Sequence, residues 1–211
     1  MKKSPVHLGD EELLRLMLAG DRTAFAQLYQ RWQSSVYRFA LRMTGAGALA
    51  EDITQDVFLT LIRDGGQYEA RGKFASYLFT ITRRSVLRRL QRERRFVSLE
   101  PDNDFEQDGE VLFEETILSE DDPLAALTRT EMTEAVRQAV QGLPLHYREV
   151  VLLCHLHELS YAEAAEVIGC EIGTVCSRLY RARALLAKSL AAWKPETTAV
   201  PVKLNLAGYA L

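Results

Sequence analysis

Apolar side chains recur every three or four residues along most of this chain, and that spacing admits one secondary-structure class, the amphipathic α-helix. Leu13, Leu14, Met17 and Leu18 repeat in this way behind Asp10, a residue placed to cap a helix, and Gly20 stops the run. Asp21 is the next cap. The helix behind it has an apolar face of Phe25, Leu28, Tyr29, Trp32, Val36, Phe39, Ala40 and Met43, and Gly45 and Gly47 break it. A third helix, over residues 48–63, places Ile53, Val57, Phe58, Leu61 and Ile62 on one side, and Asp64-Gly65-Gly66 then reads as a loop. A fourth spans residues 73–95, with Phe74, Tyr77, Leu78, Phe79 and Ile81 in its first half. These four make one compact helical domain ending near Phe96. The expected fold class is all-α.

A second helical set begins near Pro123, where Leu124, Leu127, Met132, Val136, Val140 and Leu143 keep helical spacing as far as the stop at Gly142-Leu143-Pro144. Helices over residues 146–157, 161–168 and 173–192 follow, and Pro195 ends the last. Ser160 with Glu163 three residues on is a capping box. Ala165 is small enough for a second helix to cross it closely, Gly169 supplies the turn, and Val175 packs back into the angle, with Ile172 as a further internal position. Two helices at a steep angle across a short turn require this spacing, which is that of a helix-turn-helix. On the second helix Val175, Leu179, Ala182 and Leu186 face the core. Thr174, Cys176, Ser177, Arg178, Arg181 and Arg183 fall largely off that face, in position to reach base edges and phosphates.

The net charge of −3 argues against a simple nucleic-acid binder, but the average hides a segregation. Residues 71–95 carry nine basic side chains against the single acid Glu93, whereas residues 100–131 carry twelve acids against Arg129 alone. The basic stretch is suited to phosphate, and the acidic one to a basic channel. Arg83, Arg84, Arg88 and Arg89 stand beside the aromatic residues Phe74, Tyr77 and Phe79, so cations that attract a strand adjoin rings that either stack on unpaired bases or fill the core. Residues 99–123 have linker composition, interrupted by Phe105, Val111, Leu112, Phe113, Ile117 and Leu118.

Several chemistries find no support. The three cysteines form no CxxC pair, and no disulfide framework or zinc ribbon follows. Cys154 and His157 offer two metal ligands at most, and Cys154 reads better as a core thiol. No serine has the His/Asp surroundings of a nucleophile, so catalytic residues, cofactors and small-molecule substrates are not expected. Neither a signal peptide nor a membrane span is apparent, and a reducing, cytoplasmic setting fits. The tail over residues 196–211 is apolar and either frays or docks.

These residues resemble the sigma-70 family, specifically the small extracytoplasmic-function (ECF) sigma factors, over about residues 10–190. The stretch Ala24-Phe25-Ala26-Gln27-Leu28-Tyr29 is similar to the start of the family's second conserved region, and Ala50-Glu51-Asp52-Ile53-Thr54-Gln55-Asp56-Val57-Phe58-Leu59 to the helix that binds the polymerase β′ clamp helices. Phe74-Ala75-Ser76-Tyr77-Leu78-Phe79-Thr80-Ile81-Thr82-Arg83 resembles the promoter-melting, minus-ten-reading segment. Leu143-Pro144, Tyr147-Arg148-Glu149-Val150-Val151-Leu152-Leu153, Ser160 to Ala165 and Gly173 to Arg183 resemble the fourth region, which reads the minus-thirty-five element and binds the β flap.

The resemblance implies two small helical domains joined by an acidic flexible linker, the second a helix-turn-helix of the winged-helix-like or homeodomain-like class. The expected boundaries are region 2 at 8–98, linker at 99–123, region 4 at 124–193 and tail at 194–211. It implies polymerase binding by Asp52, Gln55, Asp56, Phe58 and Leu59, and minus-ten contacts by Phe74, Tyr77, Thr80, Arg83, Arg84, Arg88 and Arg89. Minus-thirty-five contacts fall to Thr174, Cys176, Ser177, Arg178, Arg181 and Arg183. The implied partners are core RNA polymerase, promoter DNA and an anti-sigma factor, and the implied role is non-enzymatic transcription regulation, of the kind used in stress responses. A stand-alone helix-turn-helix regulator is the alternative, and it leaves the 50–59 motif without a purpose. Tyr77 stands where the family usually has Trp, Arg83-Arg84 where Arg-Asn is frequent and Cys176 where Lys is common; these departures bear on promoter preference.

Overall fold

The computed structural model describes residues 8–68, 73–97 and 123–191. The acidic linker up to residue 122, the stop at Pro195 and the C-terminal tail lie outside the described residues, and no strand occurs among those described. The first half comprises α1 (Asp10–Leu18), α2 (Arg22–Thr44), α3 (Gly47–Asp64), a 3-10 turn (Gly65–Gln67) and α4 (Phe74–Val97). The second comprises α5 (Pro123–Gln141), α6 (Leu145–Val151), a wide turn (Leu152–Leu156), α7 (Tyr161–Ile168) and α8 (Ile172–Ala191).

Local chemistry sets the helix ends. Gly9, rather than Asp10, is the N-cap of α1; Asp10, Glu11 and Glu12 instead fill the first turn, where carboxylates meet the positive end of the helix dipole. Asp21 caps α2, its Oδ1 accepting from the Thr23 and Ala24 amides at 2.8 and 3.3 Å, and Gly45 closes the helix at φ 77°. The capping box of α7 is complete: Ser160 Oγ accepts from the Glu163 amide at 3.2 Å, and Glu163 Oε2 accepts from the Ser160 amide at 2.9 Å. Gly169, at φ 76°, takes the left-handed turn, its amide donating to Ala165 O at 2.8 Å.

The first-half core is aromatic. Phe39 and Phe79 are fully buried at a ring separation of 5.6 Å, and Trp32 meets Phe74 edge-on at 5.7 Å. The second-half core is aliphatic, built on Val150, Leu153, Ala164, Val175, Leu179 and Ala182.

Two further details differ from the sequence reading. The helix expected over 146–157 does not run straight. After Val151 the backbone widens so that the His157 amide donates to Leu152 O at 3.0 Å, and Glu158 follows at φ 55°. Ile172, expected inside, is 50% exposed at the start of α8; the turn itself closes through Val175, which is fully buried.

The halves pack on each other through α4 against α7 and α2 against α5 and α6. His157, just beyond the wide turn, lies 4.3 Å from the ring of Phe79 and 5.8 Å from that of Phe39, both in the first half. Arg148 reaches from α6 to the C-terminal ends of two helices. Its Nη1 donates to Met43 O at 2.9 Å, and its Nη2 to Leu143 O at 3.1 Å and to Gln141 O. A guanidinium at two negative helix ends is favourably placed, although burial lowers its pKa.

Candidate nucleic-acid interface

The outer face of α3 carries an acid-edged apolar strip. Asp52 and Gln55 are exposed, Asp56 is half-buried, and Leu59 and Ile62 are 64% and 48% exposed. Periodicity groups Ile62 with the core, but it belongs to this strip. Phe58 does not: it is 3% exposed, with its ring 4.7 Å from that of Tyr29. Its position, one helical step from the strip, fixes how α3 presents it.

The expected minus-ten residues of α4 divide sharply. Phe74 is 4% exposed and is a core residue, packed against Trp32 and Tyr68. Tyr77 is half-buried, its ring 4.9 Å from that of Tyr68 and its hydroxyl donating to Asp64 O at 3.3 Å. Burial there raises the phenol pKa. Thr80 is half-buried, its hydroxyl donating to Ser76 O at 2.8 Å. Arg84 and Arg88 are exposed. Arg83 and Arg89 are held by carboxylates. Arg89 Nη2 donates to Asp56 at 2.7 Å and its Nη1 to Asp52 at 3.5 Å, and Arg83 Nε donates to Glu149 at 2.8 Å. Arg89 thus ties the basic helix to the acids of the α3 strip.

On α8, Cys176, Ser177 and Arg181 are exposed and form an open, donor-rich face near the helix start. Thr174 is half-buried, and Ser177 Oγ donates to Thr174 O at 3.0 Å. Arg178 Nη1 donates to Glu149 at 3.2 Å, so this cation is turned inward. Arg183 is half-buried on the other side of the helix, where it lines an apolar groove of about 750 Å³ with Met132, Val136, Leu152, Leu156 and Leu186. Cys154 is half-buried beside this region, and burial raises its thiol to about 11, leaving it protonated and inert at neutral pH. Among the described residues no group of three or more His, Cys, Asp or Glu is placed to hold a metal, and no helix is long and apolar enough to cross a membrane.

Sequence reasoning does not single out Glu149, Arg148 or His157 as site residues. Glu149 and Arg148 lie within a recognised motif, but their partners are far away in the chain, and no local pattern names them.

Comparison with known proteins matches residues 28–96 to sigma-70 region 2 and residues 133–186 to sigma-70 region 4. The ECF RNA polymerase sigma factor SigM of Mycobacterium tuberculosis is 31% identical over 86% of this chain and 84% of its own length. The ECF RNA polymerase sigma factor SigW of Bacillus subtilis is 27% identical over 81% of this chain and 91% of its own. Among solved structures, the sigma factor RpoE of Bartonella quintana, in complex with the anti-sigma factor NepR, shares the fold with a TM-score of 0.66 at 24% identity, covering 81% of this chain and 98% of that one. With regions 2 and 4 matched in order, on two helical domains, the second carrying a helix-turn-helix, the chain belongs to the ECF sigma factors of the sigma-70 family, which direct promoter-specific transcription by RNA polymerase.

Proposed function

We propose a division of this initiation role among the described surfaces. The α3 strip, with Asp52, Gln55, Asp56, Leu59 and Ile62, docks on the β′ clamp helices, and Phe58 supports it from the core. The carrying observation is the exposure of Leu59 and Ile62 beside three polar or acidic side chains. Tyr77, Thr80, Arg83, Arg84, Arg88 and Arg89 serve the minus-ten element, with Phe74 acting through the core. Thr174, Cys176, Ser177, Arg178 and Arg181 enter the major groove at the minus-thirty-five element. The groove between α5, the wide turn and α8 is the apolar surface available to the β flap, and Arg183 acts at its rim.

The working boundaries are 8–98 for region 2, 99–123 for the linker and 124–193 for region 4, with 194–211 as a tail. The chain acts in the cytoplasm as a non-enzymatic subunit, and an anti-sigma factor is its natural antagonist. That pairing is supported by the Bartonella neighbour, a sigma factor whose structure is a complex with the anti-sigma factor NepR.

Run-off transcription with purified core polymerase tests the reading: start-site-specific transcripts appear only when this protein is added. Asp56→Arg abolishes capture of core polymerase while leaving helicity and cooperative unfolding intact. Unchanged capture by that variant would remove α3 as the docking helix.

A further inference from the structure

The apolar groove of the second half opens where α8 stops. Its α8 wall is the stripe Arg183, Leu186, Leu190 and Ala191, its α5 wall is Met132, Val136 and Val140, and Leu152 and Leu156 of the wide turn complete it. Met132 to Val140 and Arg183 to Ala191 each span eight residues of helix, ~12 Å at ~1.5 Å per residue. The second half closes its own core through Val150, Leu153, Val175 and Leu179, which leaves the groove as apolar surface outside that packing. Arg183 Nε is buried in the wall without a hydrogen-bond partner. Ala191, the last described residue of α8, lines the groove itself, and 20 residues of chain follow it.

Those residues carry a pattern of matching length. Val200, Val202, Leu204 and Leu206 alternate with Pro201, Lys203 and Asn205, the period-2 spacing of an extended segment with one apolar face. Pro201 has a fixed φ and biases Val200 toward extended backbone. Val202 to Leu206 would cover ~13 Å at ~3.3 Å per residue, against the ~12 Å of either wall. The chain from Ala191 to Val200 reaches about 30 Å, enough to reverse direction and return along the groove. An extended segment brings backbone carbonyls that need donors, and Arg183 Nε is a donor that lacks an acceptor. Residues 98–122 match less well. Their apolar side chains are interrupted by acids, which an aliphatic groove would desolvate without pairing.

We propose that residues 200–206 of the C-terminal tail lie extended in this groove, with Val202, Leu204 and Leu206 against Met132, Val136, Leu186 and Leu190, Lys203 and Asn205 toward solvent, and a backbone carbonyl accepting from Arg183. The tail is the groove's occupant in the free chain, whatever docks there in the polymerase complex. Transfer of three aliphatic side chains from water to the groove holds it, and covers wall residues that would otherwise face water.

Met132 reports on the groove from inside it. The test follows oxidation of its thioether by hydrogen peroxide in the full chain, read by peptide mass spectrometry. Leu204→Asp, on the apolar face of the tail, speeds that oxidation about tenfold, the least that losing one buried leucine takes from the docked population. Lys203→Asp, one residue away on the polar face, leaves the rate at the parent's value. Both variants lie in the tail, so the helices of the second half are unaltered. A rate unchanged by Leu204→Asp, or raised equally by both variants, overturns the proposal. A rate raised by Leu112→Asp and not by Leu204→Asp gives the groove to the linker and overturns it as well.

A second measurement needs no variant. In the methyl-labelled full chain, the ε-methyl of Met132 shows nuclear Overhauser contacts to the methyls of Leu204 or Leu206. Their absence overturns the proposal. Neither measurement uses polymerase or DNA, so failure here does not touch the sigma reading, which run-off transcription tests separately.

Discussion

The two halves of the molecule reach a buried core by different means. The first uses long helices and large rings: α2 and α4 run 23 and 24 residues, and Phe39, Phe74 and Phe79 interlock between them. The second uses small aliphatic side chains, and between its long α5 and α8 it sets two short helices, α6 and α7, of 7 and 8 residues. Helices that short are marginal alone, so the second half leans on caps, on the left-handed glycine and on its neighbour. One half is held by burial, the other by the termini of its helices and by contacts it borrows.

Phe39→Ala is the severest way to break that contrast. It removes a fully buried ring that packs on Phe79 and supports His157, at about 4 kcal/mol. Denaturant unfolding should show both halves losing stability, whereas Leu179→Ala should lower the second half alone. Loss confined to the first half in Phe39→Ala would mean that the interface contributes nothing to region 4.

Glu149→Ala comes next, at about 3 kcal/mol, because it leaves two partly buried guanidiniums facing each other without an anion. Glu149→Gln should recover part of this in thermal unfolding, since the amide oxygen still accepts a hydrogen bond.

The third perturbation is acid. Burial, with a smaller contribution from the charge of Arg38, lowers His157 to about 3 from its ordinary 6.5. The ring must be neutral to occupy its aromatic site, and in the unfolded chain it titrates near 6.5. Its contribution to stability is therefore complete above pH 6.5 and is lost as pH falls through 6.5 toward 3. At one unit below 6.5 this is about tenfold, or ~1.4 kcal/mol. Equilibrium unfolding from pH 7.5 to 5.5 should show this loss in the parent and not in His157→Phe. Identical slopes would show that His157 is not an interface residue.

Ser160→Ala is the mildest, at about 1 kcal/mol, through loss of the capping box. Asp21→Ala removes the equivalent cap from the first half. If that half is held mainly by its core, hydrogen exchange should spread less from Asp21 than from Ser160.

Much of the fold is legible in the residues. The glycine breaks, the Asp21 cap, the capping box at Ser160 and Glu163, the turn at Gly169 and the inward set Val175, Leu179 and Ala182 are all local patterns. Local patterns survive because neighbours along a helix stay neighbours in space. The site is legible only in outline. Phe58 and Phe74 carry the right motif letters yet lie in the core, because a motif names positions and not the direction in which each side chain leaves its helix. Ile62 and Ile172 depart in the reverse sense, because periodicity near the edge of an apolar face does not separate a core side chain from a surface one.

Residues a few positions apart dictate the helices, most of their ends, the helix-turn-helix and the segregation of charge, so these follow from sequence without a fold. Tertiary structure alone decides which cations are available. Arg83 meets Glu149 across 66 residues, Arg89 meets Asp56 across 33 and Arg178 meets Glu149 across 29. A hydrogen-bonded ion pair depends on placement to within a fraction of an ångström, and helical periodicity fixes only the direction in which a side chain leaves its helix. Whether that direction ends in solvent, in DNA or on a carboxylate from the other half is set by how the helices dock.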